Sequence, residues 1–239
     1  MATEYNPRIV TDNLVFFLDA ANTKSYPGTG TTWTDMMGTN NGTLTDGPTF
    51  SSDNGGSIVF DGDNDDVELG SIDSSNVLSL NDPAGGGLTI SVAINWTQAG
   101  DNHPRIFNKS DGGNGVNGWT LYINRSGSAV GTLRLRVDNS SYTLASSSNV
   151  TPATWEIWTF THVDATNGAW VCYRNGISNA SGTQTYSIPT TTTNAQIGSW
   201  HSTAREFKGQ IPFVMVYDRA LSAVEVKQNF DAFKGRFGL

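Results

Sequence analysis

Apolar and polar residues alternate with a period of two along most of the chain. The segment LTISVAINW, residues 88–96, places Leu, Ile, Val, Ile and Trp on one set of alternate positions and polar or small residues on the other. Segments 119–124 and 133–138 alternate in the same way. Because successive side chains of a strand point to opposite faces, this pattern predicts half-buried β-strands.

Shorter segments of the same character recur from one end of the chain to the other. They cover residues 14–19, 57–60, 66–69, 105–109, 141–144, 156–163, 169–174, 183–188, 195–199 and 209–217. Clusters of Gly, Asn and Asp separate them, and the pair Asn175 and Gly176 is typical of a type I′ hairpin turn. Many short strands joined by turns predict an all-β antiparallel sandwich.

One helix is predicted near the C-terminus. Ser222 can cap its first turn and Glu225, three residues later, can complete a capping box. Gly235 is a candidate C-cap, and the apolar face should pack on the sandwich as a lid at one end of the core. The apolar residues at helical spacing are Leu221, Val224, Phe230 and Phe233.

Composition and charge exclude several classes of function. The 239 residues carry 14 Lys and Arg against 22 Asp and Glu, a net charge of −8, with no basic run that could follow a nucleic-acid backbone. No apolar run approaches the about 20 residues that span a bilayer, so membrane insertion is not expected. The single Cys172 excludes an intrachain disulfide and is expected in the core, which fits folding in a reducing cytoplasm.

The chain is predicted to be one domain, residues 11–239, preceded by an N-terminal arm, residues 1–10. The arm contains Tyr5, Pro7 and Arg8 and is a candidate anchor that becomes ordered against a partner protein. A frayed terminus is the alternative explanation of the same composition.

The densest acidic cluster lies in FDGDNDDVEL, residues 60–69. Asp61, Asp63 and Asp65 alternate like the first ligands of a calcium loop. The sixth position is Asp66 and the twelfth is Ile72, so the segment is not an EF-hand. An acidic turn between two strands and a calcium site of another geometry remain open, and no cofactor is predicted to be required.

Enzyme motifs are missing. Glycoside hydrolysis needs two opposed carboxyl groups, and the candidates on one strand face, Asp66 and Glu68, lack a third carboxylate at the spacing used by sandwich-fold glucanases. No serine-hydrolase, zinc-hydrolase or phosphate-loop motif occurs. We therefore predict that the chain is not an enzyme and keep a glycoside hydrolase as a minor alternative.

Six of the seven tryptophans divide into two groups. Trp96, Trp119, Trp158 and Trp170 lie in alternating segments and are predicted to be core residues. Tyr26, Trp33 and Trp200 lie in or beside loops, where their rings could stack on a sugar. Packing of these three in the core or in turns is the other interpretation.

Three segments together resemble the concanavalin A-like lectin/glucanase fold, in its laminin G-like or pentraxin-like branch. They are LVFFLDAANTKSYPGTGTTWTD, NNGTLTDGPTFSSDNGGSIVFDGDNDDVEL and FKGQIPFVMVYDRALSAVEVKQNF, and the resemblance spans about residues 9–235. It implies a jelly roll of two antiparallel sheets with one short C-terminal helix, and in some members a calcium ion at the sheet rim.

The opening segment DAANTKSYP, residues 19–27, is more particularly similar to such domains in virion proteins of tailed phages. That resemblance implies a non-enzymatic structural protein on the virion surface, a decoration or appendage of capsid or tail, made in the host cytoplasm. Its partners would be other virion proteins, a second copy of the chain or a host surface glycan. The alternative is a carbohydrate-binding adhesin module.

Overall fold

The computed structural model describes residues 8–38, 40–69, 87–97, 103–110, 118–125, 130–137, 142–163, 168–184, 193–200 and 205–239. Within these ranges the chain forms seventeen β-strands and one α-helix. All strand pairs are antiparallel, and they assemble into two sheets, here called sheet A and sheet B. The predicted all-β sandwich is confirmed. No helix among the described residues is both long and apolar enough to cross a membrane.

Sheet A has nine strands. They are β1 (Leu14–Asp19), β4 (Thr49–Ser51), β5 (Ser57–Asp61), β7 (Gly87–Trp96), β12 (Trp155–Val163), β13 (Gly168–Arg174), β14 (Ile177–Gln184), β16 (Lys208–Ile211) and β17 (Phe213–Tyr217). Their order is β14-β13-β12-β7-β16-β5-β4, and β17 continues along β7 beyond β16 and pairs with β1 on its other side.

Sheet B has eight strands. They are β2 (Thr32–Trp33), β3 (Gly42–Thr45), β6 (Asp66–Glu68), β8 (Arg105–Ser110), β9 (Gly118–Asn124), β10 (Gly131–Val137), β11 (Tyr142–Val150) and β15 (Gln196–Ile197). Their order is β11-β10-β9-β8-β15-β6-β3-β2.

The main core lies between the two sheets and contains the inward-facing residues of both. Trp96, Trp119 and Trp158 are buried there, and Trp170 packs against the cluster while keeping part of its surface exposed. The rings of Phe107 and Trp119 meet edge to face, with centroids 4.7 Å apart. Cys172 is buried in the same core as predicted, and burial raises the pKa of its thiol.

A second core lies on the outer face of sheet A, under helix α1 (Ala223–Phe237). Phe233 of the helix stacks on Phe213 of β17 with ring centroids 4.2 Å apart, and Phe237 packs on Trp155 at 4.8 Å. The helix therefore covers a face of one sheet. The sequence predicts a lid at one end of the core, and this prediction is wrong.

The start of α1 agrees with the sequence, whereas its end does not. Ser222 and Glu225 form the capping box, but the helix continues through Gly235 to Phe237 and is capped by Gly238 at φ 68°. Val224, predicted on the apolar face, is 77% exposed, and Val226 is buried in its place.

Gly235→Ala is expected to raise the free energy of unfolding by about 1 kcal/mol, because Gly costs about that much in a helix interior relative to Ala. A Cβ at Gly235 meets no atom within 4 Å. Gly238→Ala is the matched control, since its surroundings are equally open but its backbone is left-handed; we expect it to destabilise. Urea unfolding measures both, and a loss of stability in Gly235→Ala would contradict the assignment of Gly235 to the helix interior.

Two strand predictions need correction. Residues 209–217 form two strands, because Pro212 lacks the N–H that a continuous ladder would need. Of the segment predicted as a strand at 183–188, residues 185–188 lie outside the described residues, and the strand that contains 183 and 184, β14, begins earlier than predicted, at Ile177. The hairpin turn before it is confirmed, with φ of 51° at Asn175 and 72° at Gly176.

Candidate functional site

A row of polar side chains crosses the outer face of sheet B. The row consists of Glu68, Gln196, Asn108, Thr120 and Arg136, one residue from each of five neighbouring strands, and consecutive members are cross-strand partners. We call it the polar row. Adjacent strands lie about 4.8 Å apart, so its four steps extend over about 19 Å.

The period of two along each strand explains why these residues face outward. Val67, Phe107 and Ile197 are sequence neighbours of row members, and all three are buried in the core between the sheets. Their polar neighbours must then lie on the opposite face. The alternation that builds the core thus also builds the polar row.

The centre of the polar row is buried although it faces away from the core. Asn108 and Thr120 are 0% exposed and Gln196 is 4% exposed. Among the described residues, Asn108 Nδ2, Thr120 Oγ1 and Arg136 Nε have no hydrogen-bond partner. A buried polar atom without a partner costs about 1–3 kcal/mol, so these three atoms side by side lower the stability of the folded domain.

Asp66 adds a fourth such atom beside the row. It shares its strand face with Glu68, and its Oδ2 accepts from Gln196 Nε2 at 3.0 Å and from Ser199 Oγ at 3.3 Å. Its Oδ1 has no partner among the described residues. Burial, followed by the nearby charge of Glu68, raises the pKa of Asp66 to about 6. The carboxyl group can therefore donate or accept a proton close to neutral pH.

Arginines occupy the opposite end of this face. Arg134 and Arg136 lie two residues apart on β10, and Tyr122 of β9 is the cross-strand partner of both Arg134 and Arg105. The Arg105 guanidinium lies 4.5 Å from the centroid of the Tyr122 ring. The face is thus acidic at β6 and basic at β10.

Two of the three predicted sugar-stacking residues are core residues. Trp33 is 0% exposed in the core between the sheets. Tyr26 is buried as well, with its ring 5.4 Å from that of Phe50 and its hydroxyl donating to the Gly30 carbonyl oxygen at 2.8 Å. Neither ring presents a face to a ligand, so both assignments are wrong.

Trp200 keeps partial exposure next to β15. The Arg205 guanidinium lies 5.7 Å from the centroid of its ring. Trp200 therefore stays a candidate for sugar stacking.

The predicted calcium ligands are engaged by their own turn. Asp65 Oδ2 accepts from the Asp61 backbone N–H at 2.8 Å, and Asp61 Oδ1 accepts from the Asp63 N–H at 2.9 Å. Burial raises the pKa of Asp65. In the described part of the chain, no group of three or more His, Cys, Asp or Glu is arranged to hold a metal. The described residues form an acidic turn, and a calcium site completed by other groups stays a prediction.

Of the predicted anchor residues, Tyr5 and Pro7 lie outside the described residues. Arg8 is exposed, and its carbonyl oxygen accepts from Gln228 Nε2 at 2.7 Å. Two residues later the Val10 N–H donates to Asn229 Oδ1 at 2.8 Å, and Val10 belongs to the core under α1. The described end of the arm therefore contacts the domain itself.

Several solved structures have the same fold. Domain 4 of AbnA, a GH43 extracellular arabinanase from Geobacillus stearothermophilus solved with arabinotriose, has a TM-score of 0.64 at 19% identity, covering 91% of this chain and 98% of that one. Trypanosoma rangeli sialidase in complex with sialic acid has a TM-score of 0.65 at 13% identity. The receptor-binding domain of botulinum neurotoxin type G has a TM-score of 0.60 at 15% identity.

These likenesses concern the fold alone. The match covers 95% of this chain but 34% of the sialidase, and 91% of this chain but 51% of the neurotoxin domain. No curated protein matches. A family model described as the concanavalin A-like lectin/glucanases superfamily matches residues 61–227, more than half of the sequence. The fold and this match agree, and the chain belongs to the concanavalin A-like lectin/glucanase superfamily.

Proposed function

We propose that the chain is a non-catalytic glycan-binding module whose binding surface is the outer face of sheet B. The observation that carries the proposal is the set of buried atoms without partners, namely Asn108 Nδ2, Thr120 Oγ1, Arg136 Nε and Asp66 Oδ1. Asn108 Nδ2 and Arg136 Nε are donors, Asp66 Oδ1 is an acceptor when ionised, and Thr120 Oγ1 can do both. A sugar hydroxyl both donates and accepts, so a sugar chain lying along the row can supply matching groups once side-chain movement opens these atoms, which are closed to solvent in this structure.

Length and relatives add support. The polar row extends over about 19 Å, given the usual strand spacing, which suits an oligosaccharide better than a single sugar ring. The fold is shared with an arabinanase domain that was solved with arabinotriose and with a neurotoxin receptor-binding domain. Those ligands belong to those proteins, and we take from them only that this fold carries binding surfaces.

Absence of catalysis is part of the proposal. Asp66 and Glu68 share one face of β6, which ends at Glu68, and the sequence has no third carboxylate at the spacing that sandwich-fold glucanases use. Asp66 Oδ2 is held by two protein groups. Release of reducing sugar from any glycan that the purified protein binds would contradict this part of the proposal.

Thr120→Val is expected to weaken glycan binding about fivefold to tenfold and to raise the free energy of unfolding by about 1 kcal/mol. The loss corresponds to one hydrogen bond to the ligand, and the gain comes from removing a buried hydroxyl that has no partner in the protein. A glycan array identifies the ligand, calorimetric titration gives the affinities, and urea unfolding gives the stability.

Thr183→Val, at an exposed position of β14 in sheet A, is the matched control and should change neither quantity. If Thr120→Val binds with the affinity of the original protein, the polar row is not the binding surface. If it unfolds more easily, the hydroxyl already has a partner and the proposal loses its basis.

We further propose that this module is carried on the surface of a tailed-phage virion. The support is the similarity of residues 19–27 to virion domains, together with a surface rich in Thr, Asn and Ser at a net charge of −8. An antibody raised against the domain should label purified particles. Removal of residues 1–7 tests the arm as an anchor, because this truncation keeps the contacts of Arg8 and Val10 with α1; undiminished incorporation would exclude that role.

A further inference from the structure

Arg134 and Arg136 form a pair of guanidinium groups on the outer face of sheet B. They lie two residues apart on β10, both are half-buried, and neither makes an ion pair with any described residue. The Nε of Arg134 donates to Thr132 Oγ1 at 3.3 Å, whereas the Nε of Arg136 has no partner within the described ranges.

Three other arginines of this acidic chain form ion pairs. Arg219 contacts Glu225 at 2.6 Å, Arg236 contacts Asp19 at 3.0 Å, and Arg174 contacts the buried Glu156. With 22 acidic residues against 14 basic ones, carboxylates are plentiful. A guanidinium that loses water without gaining an anion is costly. Two of them side by side, in a chain that pairs such groups elsewhere, indicate that the anion comes from outside.

The surroundings of the pair favour one position for that anion. The β11 neighbour of Arg134 is Ala145, which has a small side chain, and its β9 neighbour is Tyr122, which also lies under the Arg105 guanidinium. The acidic end of the face, at Glu68, lies four strand steps away, about 19 Å. An anionic group is therefore attracted to the β10 end and repelled from the β6 end.

We propose that the glycan bound by the polar row is acidic, and that Arg134 and Arg136 bind the carboxylate of one of its sugars. This inference rests on the proposed function and specifies its ligand class. The planar guanidinium fork matches a carboxylate in two parallel hydrogen bonds. Uncharged sugars of the same chain then lie over Thr120, Asn108 and Gln196, in the uncharged middle of the face.

The test compares matched probes. Oligomers of galacturonate, mannuronate and guluronate are each titrated against the wild-type protein beside the same oligomer after chemical reduction of its carboxyl groups. At least one acidic oligomer should bind ten times more tightly than its reduced form, and the difference should shrink as salt is raised from 50 to 200 mM. Sulfated neutral oligomers form a third arm.

Single substitutions test whether Arg134 and Arg136 cause the preference for the acidic oligomer. Arg134→Gln and Arg136→Gln should each weaken binding of the acidic oligomer about tenfold while leaving binding of the reduced oligomer unchanged. Arg8→Gln removes one positive charge at an exposed residue that contacts α1 and not sheet B in the described part of the chain, and it serves as the control for the change in net charge. If a glutamine variant unfolds, Arg134→Lys and Arg136→Lys keep the positive charge and should still lose much of the discrimination, because an ammonium lacks the fork.

Each outcome separates the two proposals. Equal binding of acidic and reduced oligomers overturns the carboxylate assignment and leaves glycan binding intact. Binding of the sulfated oligomers alone also overturns it. Failure of every glycan on an array that includes these probes overturns both proposals.

Discussion

Gly209→Ala is expected to lower the free energy of unfolding by about 3 kcal/mol or more, the range seen when a residue is forced into a strained backbone conformation and a clash. Gly209 lies in β16 between β5 and β7, at φ 142°. A Cβ there would lie 2.2 Å from the carbonyl oxygen of Asn95 and 3.0 Å from Trp96 Cα. Both contacts are with backbone atoms of the adjoining strand, so relief requires breaking the pairing of β16 with β7.

Gly30→Ala is the matched control. Gly30 also has a positive φ, 88°, but it is exposed and a Cβ there meets no atom within 4 Å. We expect this variant to lose only about 1 kcal/mol, the cost of a left-handed backbone in a residue other than glycine. Urea unfolding followed by tryptophan fluorescence measures both. Equal losses in the two variants would show that backbone strain, and not the approach of β7, sets the requirement for glycine.

The same position shows what the sequence can and cannot predict. Alternation identified the segment 209–217 as strand, because that signal is local to the chain. The reason for a glycine at its start is the Asn95 carbonyl oxygen, which belongs to a strand more than a hundred residues earlier. Only the paired sheet brings the two together.

Strand β14 is the clearest miss, and it has a physical cause. Its sequence, ISNASGTQ, has no apolar alternation. The strand lies at the edge of sheet A, where few of its side chains are buried in the core. It is held by its ladder with β13 and by Asn179, whose side chain exchanges hydrogen bonds with Ser148 and the backbone of Ser147 in β11. The Asn175–Gly176 turn was the signal that could have placed it.

The candidate site was harder to predict than the fold. The sequence correctly places Asp66 and Glu68 on one strand face, but Gln196 joins them only through the register of β15 with β6. Asn108 and Thr120 carry no motif, and their position depends on two further registers. Whereas Asn108 and Thr120 were missed, Trp33 was predicted to bind a ligand and is instead a core residue. A local sequence pattern does not distinguish an aromatic ring exposed beside a loop from one buried beneath it.

The buried polar atoms that support both proposals also affect the free energy of unfolding. An apolar residue at any of these positions would spare the cost of an unpaired donor or acceptor. Retaining Asn108, Thr120 and Arg136 there costs folding free energy, and a bound ligand returns it by binding the folded state alone. A ligand bound to this face should therefore stabilise the domain. Because Asp66 titrates, the folding free energy lost to the buried polar groups depends on pH.

Asp66→Asn is expected to raise the free energy of unfolding by about 3 kcal/mol at pH 7 and to have little effect at pH 4, since one pKa unit corresponds to about 1.4 kcal/mol. Burial and the charges of Glu68 and Asp46 raise the pKa of Asp66 from 3.8 to about 6, while the nearby hydroxyl groups of Ser199 and Thr45 act in the other direction. Asparagine keeps an acceptor for Gln196 Nε2 and has no charge to bury.

The sign follows from the proton count. Between pH 3.8 and about 6 the folded protein holds a proton on Asp66 that the unfolded chain has already released, so the free energy of unfolding falls as the pH rises through this window. Below the window the contribution is fully present, and above it the contribution is lost. The original protein should therefore lose stability from pH 4 to pH 6.5, and the variant should show a flatter profile.

Urea unfolding at intervals from pH 4 to pH 7 measures the two profiles. Asp63→Asn, in the exposed turn before β6, removes the same formal charge and controls for the change in net charge. If Asp66→Asn follows the original protein in parallel over this range, a different group titrates and Asp66 is not the buried acid of this face. If it flattens the profile and also binds the glycan more tightly at pH 7, removal of the buried charge accounts for both effects, because a neutral side chain at this end of the polar row no longer repels an acidic ligand.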